Sequence, residues 1–462
     1  MPSFSSSVLE KWTGGRWAIR PAADTLGFSV DSRRLSPGHG FVALKTERRD
    51  GHDYLAEALK AGASMAIVSH LVLEVALPQL IVADPLAALQ SIAREHRKAF
   101  KGTVVGVTGS AGKTSTKELL ALALGSEAGD VLSTEGNLNN HIGVALTLTR
   151  LDPTTHRFAV IEAGISAPGE MAILARMIEP DMAIVTLVAP AHLADLGGLE
   201  SVAREKALLA HAVRPGGTII FPADCADYPS FASLPPEHRM MLEKAPAVRG
   251  GGVPYSVFHQ GDRTTVAVEL AGSDSVVTLR RTTDGMARNV AMTICAATTL
   301  GATVHEIQRR LVSWRPSQLR GEWKVSEGRR IYLDCYNANP ASMADALATF
   351  DALAPTAEPR LLVVGCMEEL GADSERYHFE LGKSLRLRKG DRLVAVGGLA
   401  GSIRTGALAA GVHSGQIEIS ETVGPLVAGL SAFKGSIFVK GSRRHELEKA
   451  FGGSELAGAA HA

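Results

Sequence analysis

The stretch Val104-Val105-Gly106-Val107-Thr108-Gly109-Ser110-Ala111-Gly112-Lys113-Thr114 constrains the architecture of this chain more than any other. A short apolar run enters a loop of small residues that closes on Lys-Thr. Ser115-Thr116-Lys117-Glu118-Leu119-Leu120 then reads as the opening of a helix. Strand, glycine loop and helix in that order form a cradle for nucleoside-triphosphate phosphates. Small residues let backbone N–H groups approach the oxygens, the helix N-terminus adds a favourable dipole, the lysine supplies a point charge, and the hydroxyl can ligate Mg2+. Thr108, Gly109, Ser110, Ala111, Gly112, Lys113, Thr114 and Ser115 are therefore the candidate nucleotide-binding loop. Val107 stands where the strict pattern has glycine, so an ordinary glycine-rich turn is the competing reading. The motif alone does not say whether the phosphate is hydrolysed, transferred or only bound.

A chain of 462 residues has room for about three domains. Hydrophobic residues make up 45%, enough for packed cores and against global disorder. Lys+Arg and Asp+Glu both number 48, so the formal net charge is zero, and nothing in it points to nucleic acid or a membrane surface. Cys225, Cys295, Cys335 and Cys366 are far apart and form no CxxC pair, which argues against zinc or a disulfide framework and suits a reducing cytoplasm. Residues Met1 to Ser7 lack the basic-then-apolar order of a signal peptide. No apolar run approaches the ~18 residues of a membrane-spanning helix. No long apolar seam demands a second copy, so a monomer is expected.

Periodicity divides the chain into an α/β protein of three domains, at 1–101, 102–316 and 317–462. In the first, Ala58 to Val68 reads as a helix end, a glycine turn and a strand, and Leu80–Ala83 as a second strand. Asp84-Pro85 is a cap and first-turn pair for a helix to about Phe100. In the second, strands are expected at Phe158–Ile161, Met182–Val188 and Thr218–Phe221, with helices at Met171–Ile178 and Leu199–Val213. That alternation implies a parallel sheet of P-loop ATPase type. Residues 251–281 alternate like antiparallel strands, and helices follow near Asn289–Leu300 and Val304–Trp314. After a linker at Arg315-Pro316-Ser317 the pattern restarts as an open, Rossmann-like α/β domain. Its strands are read at Ile331–Leu333, Leu361–Val364, Leu393–Val396 and Ile437–Val439, and its helices near 341–353, 375–387 and 443–451. The Gly/Ala-rich tail after Gly452 is expected to fray.

Ligands of open α/β sheets gather at the carboxyl ends of the strands. Glu162 follows one such strand, His192 follows the next, and Lys206 lies on the succeeding helix among Ala203, Ala207, Leu208 and Leu209. A carboxylate beside a triphosphate is a natural Mg2+ ligand. Taken singly, Glu162 is as readily a salt-bridged acid, His192 a satisfied loop histidine and Lys206 a solvated lysine. Their shared position raises all three. The run Asn137-Leu138-Asn139-Asn140 brings amide donors and acceptors close together; a plain polar turn is the alternative.

These residues together resemble the Mur ligase family over nearly the whole chain. The resemblance rests on Asp31-Ser32-Arg33, Phe41 to Lys45, Asp50-Gly51-His52-Asp53, the Thr108–Thr114 loop, Asn137 to Gly143, Glu162 with Pro168-Gly169-Glu170, and Ala191-His192-Leu193. It also rests on Asp334-Cys335-Tyr336-Asn337-Ala338-Asn339-Pro340, Glu369-Leu370-Gly371 with His378, and Val439 to Arg443. It implies an ATP-dependent ligase that joins D-alanyl-D-alanine to UDP-N-acetylmuramoyl-tripeptide, with a first domain that binds the UDP-sugar and two Mg2+ sites. By the same resemblance Lys113, Lys206 and His192 are catalytic. Thr114, Glu162, His192 and an N-carbamylated Lys206 hold metal. Asn289, Arg320 and Asp334 reach ATP. Ser32, Arg33, Lys45, Asn137, Asn139, Asn140, Tyr336, Asn337 and Asn339 contact substrate. The chain departs from the family at Arg288, Met292, Cys366, Pro222, Leu208 and Leu319. A related Mur-type or folylpolyglutamate-type ligase with another amine, and an inactive nucleotide-binding relative, are the alternatives. The third residue of the tripeptide, diaminopimelate or lysine, stays open.

Overall fold

The computed structural model describes residues 2–246, 251–270, 272–326, 328–426, 429–430 and 432–451; the tail after Gly452 lies outside them. Three sheets succeed one another along the chain. The first runs Arg16–Trp17, Gln79–Ile81, Met65–Val68, Gly40–Val42, Phe28–Ser29 in spatial order, parallel except at the first pair. The helix that leaves it, Pro85–Ala99, starts where Asp84 Oδ1 accepts the N–H groups of Leu86 (2.8 Å) and Ala87 (3.3 Å). Proline at the first helical position leaves no orphan donor. Ala88, Leu89, Ile92 and Ala93 form its buried stripe, packed with Leu148, Leu174 and Ile178 of the following sheet's helices. Arg97, fully buried on that face, donates to the carbonyls of Ile178 (2.9 Å) and Glu179 (2.8 Å) and to Asp181 Oδ2 (2.8 Å). The same Asp181 oxygen accepts the N–H of Val104 at 2.8 Å. One buried cation thus ties the first helix to the strand that feeds the phosphate loop.

The central sheet has nine strands, in the order Ser273–Arg280, Arg263–Leu270, Val253–Gln260, Arg239–Lys244, Thr218–Pro222, Met182–Val185, Thr103–Thr108, Phe158–Glu162, Val131–Ser133. Pairs are parallel from Val131–Ser133 to Val253–Gln260, and the last two strands are antiparallel. The phosphate-loop strand is flanked by Phe158–Glu162 on one side and Met182–Val185 on the other, so the strand order switches direction there. That switch opens a crevice at the carboxyl ends. The third sheet runs Glu322–Ser326, Arg329–Asp334, Gly435–Lys440, Arg360–Gly365, Arg392–Val396, Ile417–Ser420, antiparallel only at its first pair. Among the described residues no helix is long and apolar enough to cross a membrane.

Several element boundaries differ from the sequence reading. The strand from Met182 stops at Val185, because Thr186 turns its hydroxyl to the carbonyls of Thr108 (3.2 Å) and Ala111 in the phosphate loop. The helix expected from Asn289 begins at Asp284, capped by Thr283 accepting the N–H of Met286 at 3.0 Å. Residues 443–451 form two 3-10 turns, Arg443–His445 and Leu447–Phe451, rather than a helix, since Glu446 between them takes φ 46°. The helix Ala400–Ala409 has no counterpart in the sequence reading. Its Gly406 and the facing Gly382 let two helices touch; a Cβ on either would lie 2.0 Å from a backbone carbonyl oxygen.

Candidate active site

The loop after Thr108 needs glycine at two places. Gly109 has φ 149° and Gly112 φ 81°. A Cβ on Gly109 would lie 1.9 Å from Thr186 Oγ1, and one on Gly112 would lie 2.6 Å from Asn289 Nδ2. Asn289 is therefore packed against the loop itself. Lys113 opens the helix Lys113–Leu124 and folds back to donate to the Gly109 carbonyl at 2.8 Å. Burial pushes its pKa down, Glu162 opposes the shift, and Arg320 adds to it. A lysine held this way gains most when an anion enters the loop.

Glu162, 1% exposed, ends its strand beside this lysine. Its Oε1 accepts from Thr114 Oγ1 (3.2 Å) and Asn139 Nδ2 (2.8 Å), while Oε2 is buried with no partner. An orphaned carboxylate oxygen next to a threonine hydroxyl suits a hard cation. Among the described residues no three His, Cys, Asp or Glu side chains gather into a metal cage. Magnesium fits such a site, because it is held by one or two carboxylates plus phosphate oxygens rather than by an all-protein cage.

A cleft of about 1540 Å³ runs from this loop to the third sheet. Across it stand Arg320, Asp334, Tyr336, Asn337 and Asn339. Arg320 lies 3.9 Å from the Tyr336 ring centroid, which braces its guanidinium. Asp334 pairs with Lys440 (2.6 Å); burial raises its pKa and Lys440 opposes that. Asn339 caps the helix Pro340–Leu353 and donates to the Ser110 carbonyl at 3.3 Å. Asn337 Oδ1 accepts the N–H of Ala338 at 2.8 Å. Asp345 accepts the N–H of Gly285 with both oxygens, at 3.0 and 3.1 Å, and so caps the Asp284–Thr299 helix from the opposite unit.

His192 lines the same cleft, with φ 53° and Nδ1 2.5 Å from Glu369 Oε2, a close approach without straight hydrogen-bond geometry. Burial lowers its pKa, Glu369 opposes this, and Lys113 and Lys206 reinforce it. Lys206 is 2% exposed, on the buried face of the Leu199–His211 helix. Burial and then Lys113 push its pKa well down, against Glu205. Both effects disfavour the charged form of this buried amine.

Not every candidate meets here. Asn137, Asn139 and Asn140 line the cleft, but Asn140 Oδ1 is engaged by the N–H groups of Ile142 (3.2 Å) and Gly143 (2.9 Å). Ser32, Arg33 and Lys45 belong to the first sheet's unit, outside the lining of this cleft. There Ser32 donates to Glu57 (3.1 Å), Arg33 forks onto Asp31 (2.9 and 2.8 Å), and Lys45 faces Asp50 (3.3 Å). Of the departures, Met292 lies in the apolar core, whereas Arg288 lines the cleft with an unpartnered Nε. Lys440, Asp345 and Thr186 escaped the sequence reading as site residues. Lys440 had a signal, a lysine closing the apolar strand Gly435–Lys440; Asp345 and Thr186 had none.

With this geometry in place, likeness to known proteins is specific. Residues 107–244 match the Mur ligase middle domain, and residues 319–443 match the Mur ligase glutamate ligase domain. The UDP-N-acetylmuramoyl-tripeptide--D-alanyl-D-alanine ligase of Escherichia coli K12 is 34% identical over 429 residues, covering 91% of this chain and 92% of that protein. The enzyme of the same name from Bacillus subtilis 168 is 30% identical, covering 83% and 82%. Among solved structures, MurF from Acinetobacter baumannii superposes with a TM-score of 0.86 at 26% identity, covering 99% of both chains. MurF ligase from Thermotoga maritima in complex with ADP superposes at 0.78, with 28% identity over 94% of this chain and 98% of that one.

Proposed function

The chain belongs to the Mur ligase family, and from that premise we propose how its cleft makes an amide bond. The protein is an ATP-dependent ligase that joins D-alanyl-D-alanine to UDP-N-acetylmuramoyl-tripeptide in peptidoglycan synthesis. The observation that carries the mechanism is the phosphate loop facing Arg320, Asp334 and Asn339 across one cleft.

The terminal carboxylate of the tripeptide attacks the γ-phosphorus of ATP, giving an acyl phosphate and ADP. The dipeptide amine then attacks the acyl carbon, loses a proton, and phosphate leaves. Both steps bring negative charges together, so the site must supply positive charge before they meet. Lys113 and backbone N–H groups of the Thr108–Ser115 loop take the phosphates, that of Ser110 being held by the Leu187 carbonyl at 2.8 Å, and Arg320 adds charge from the opposite wall. Asn289 props the loop at Gly112. Thr114 and Glu162 would hold one Mg2+, and His192 with N-carbamylated Lys206 a second; bound magnesium offsets charge on the phosphates. A neutral Lys206 amine is the form that adds to carbon dioxide, turning a cation into a carboxylate ligand. Asn137, Asn139 and Asn140 lie on the acyl-substrate side, with Tyr336, Asn337 and Asn339 opposite. Ser32, Arg33 and Lys45 take the uridine end in a domain spanning 1–101, followed by domains at 102–316 and 317–462. The enzyme works as a monomer in the cytoplasm.

Coupled ADP release with the UDP-tripeptide, ATP and Mg2+, with and without D-alanyl-D-alanine, tests the reading. Turnover should require the dipeptide and fall at least ~100-fold in Lys113→Ala. Turnover with another amine, or ATP binding without turnover, would replace it.

A further inference from the structure

Glu369 lies outside the lining of the cleft, yet its carboxylate oxygen Oε2 is 2.5 Å from His192 Nδ1. The two residues come from different sheets' units. Both hold left-handed backbones, φ 53° at His192 and φ 65° at Glu369, which side-chain-bearing residues adopt mainly where surroundings impose it. The loops that carry them also touch through the main chain: Ala194 N–H donates to the Glu369 carbonyl at 3.3 Å. Gly371, at φ 67°, lets that approach happen, since a Cβ there would lie 3.3 Å from Ala194 Cα. With Nδ1 against Glu369, no described side chain is hydrogen-bonded to Nε2.

We propose that Glu369 is a positioning residue. It fixes the His192 ring from the far side of the cleft, so His192 is set for a ligand only while the third sheet's unit is docked on the central one. A ligating histidine is commonly oriented by a carboxylate on its other ring nitrogen, and loss of that partner weakens the site. Here the carboxylate arrives with the other domain, which couples closure to completion of the site. The proposal rests on the reading of His192 as a metal-site residue.

The test uses the full-length protein and two readouts. The first is long-range proton–nitrogen NMR of histidine rings without nucleotide, with His192 assigned through His192→Gln. Its ring signals should shift in Glu369→Ala and Glu369→Gly. The second is the Mg2+ concentration for half-maximal ADP release. It should rise roughly tenfold or more in both variants, less in Glu369→Gln, whose amide still fills the place beside Nδ1, while the KM for ATP at saturating Mg2+ changes little. Glu369→Gly suits the left-handed backbone, so its thermal stability should hold; a loop-only role would then leave the Mg2+ response untouched. Unchanged ring signals, or an unchanged Mg2+ response in the Glu369 variants where His192→Gln does change it, would overturn the proposal. An unchanged Mg2+ response in His192→Gln itself would instead overturn the metal reading, and the ring signals would still decide whether Glu369 orients His192.

Discussion

Asp50 shows how single residues set this molecule's response to acid. The backbone N–H of His52 (3.0 Å), its ring (2.6 Å) and Lys45 hold the Asp50 carboxyl down to about 2. The native state thus keeps the carboxylate ionised where the unfolded chain, near pH 4, takes up a proton. Stability from this group is fully present above about pH 4 and is lost as pH falls toward 2. Thermal unfolding of Asp50→Asn should show a lower Tm at neutral pH and a flatter dependence across that window. In the phosphate loop the decisive quantity is space. Gly109→Ala would force a methyl to within 1.9 Å of Thr186 Oγ1 at φ 149°. ATP affinity should fall by at least ~10-fold, as 1–3 kcal/mol of backbone strain implies, and isothermal titration would read it.

At the scale of elements, the join between the first helix and the central sheet rests on Arg97. Its replacement by alanine takes a donor from two carbonyls and from Asp181, whose Oδ2 keeps only the Val104 N–H. The loss should be about 3 kcal/mol, the low end for a broken buried pair because Asp181 is partly exposed. Hydrogen exchange at Val104 and Asp181, whose main chains share the contact, should quicken before that of the third sheet. Much of this level was legible in the sequence. Asp84-Pro85 marked a helix start, the loop Thr108–Thr114 named its strand and helix, and alternation in 251–281 gave the antiparallel edge. Legibility failed where tertiary contact overrode local pattern. Gly401 and Gly406 hid the Ala400–Ala409 helix, and the value of Gly406 lies in a helix crossing invisible to periodicity. At the site, Lys113, Glu162 and His192 followed strands and could be found, whereas Asp345 and Glu369 act from another unit. Only the folded arrangement shows what they touch.

For the whole molecule, the cleft is a seam between two sheets' units, and the polar contacts across it among the described residues include Asn339 to Ser110, Asp345 to Gly285, Glu369 to His192, Ala194 N–H to the Glu369 carbonyl, and Ser317 Oγ to Glu118 at 2.5 Å. Asp345→Ala removes a second cap of the Asp284–Thr299 helix, the one supplied across the seam, and leaves Thr283 in place. A lost cap is worth about 1 kcal/mol, roughly fivefold in the docking equilibrium. Small-angle scattering should therefore show a larger open fraction in this variant with a non-hydrolysable ATP analogue, and an identical envelope would contradict it. The contact between Asn339 and the Ser110 carbonyl has a further consequence. The third unit is, in effect, a ligand of the phosphate loop, so nucleotide and docked domain form a heterotropic pair. Whatever factor nucleotide adds to docking, docking must return to nucleotide affinity. Where nucleotide favours docking, a substitution far from any phosphate that loosens the seam will be read at the loop as weaker ATP binding.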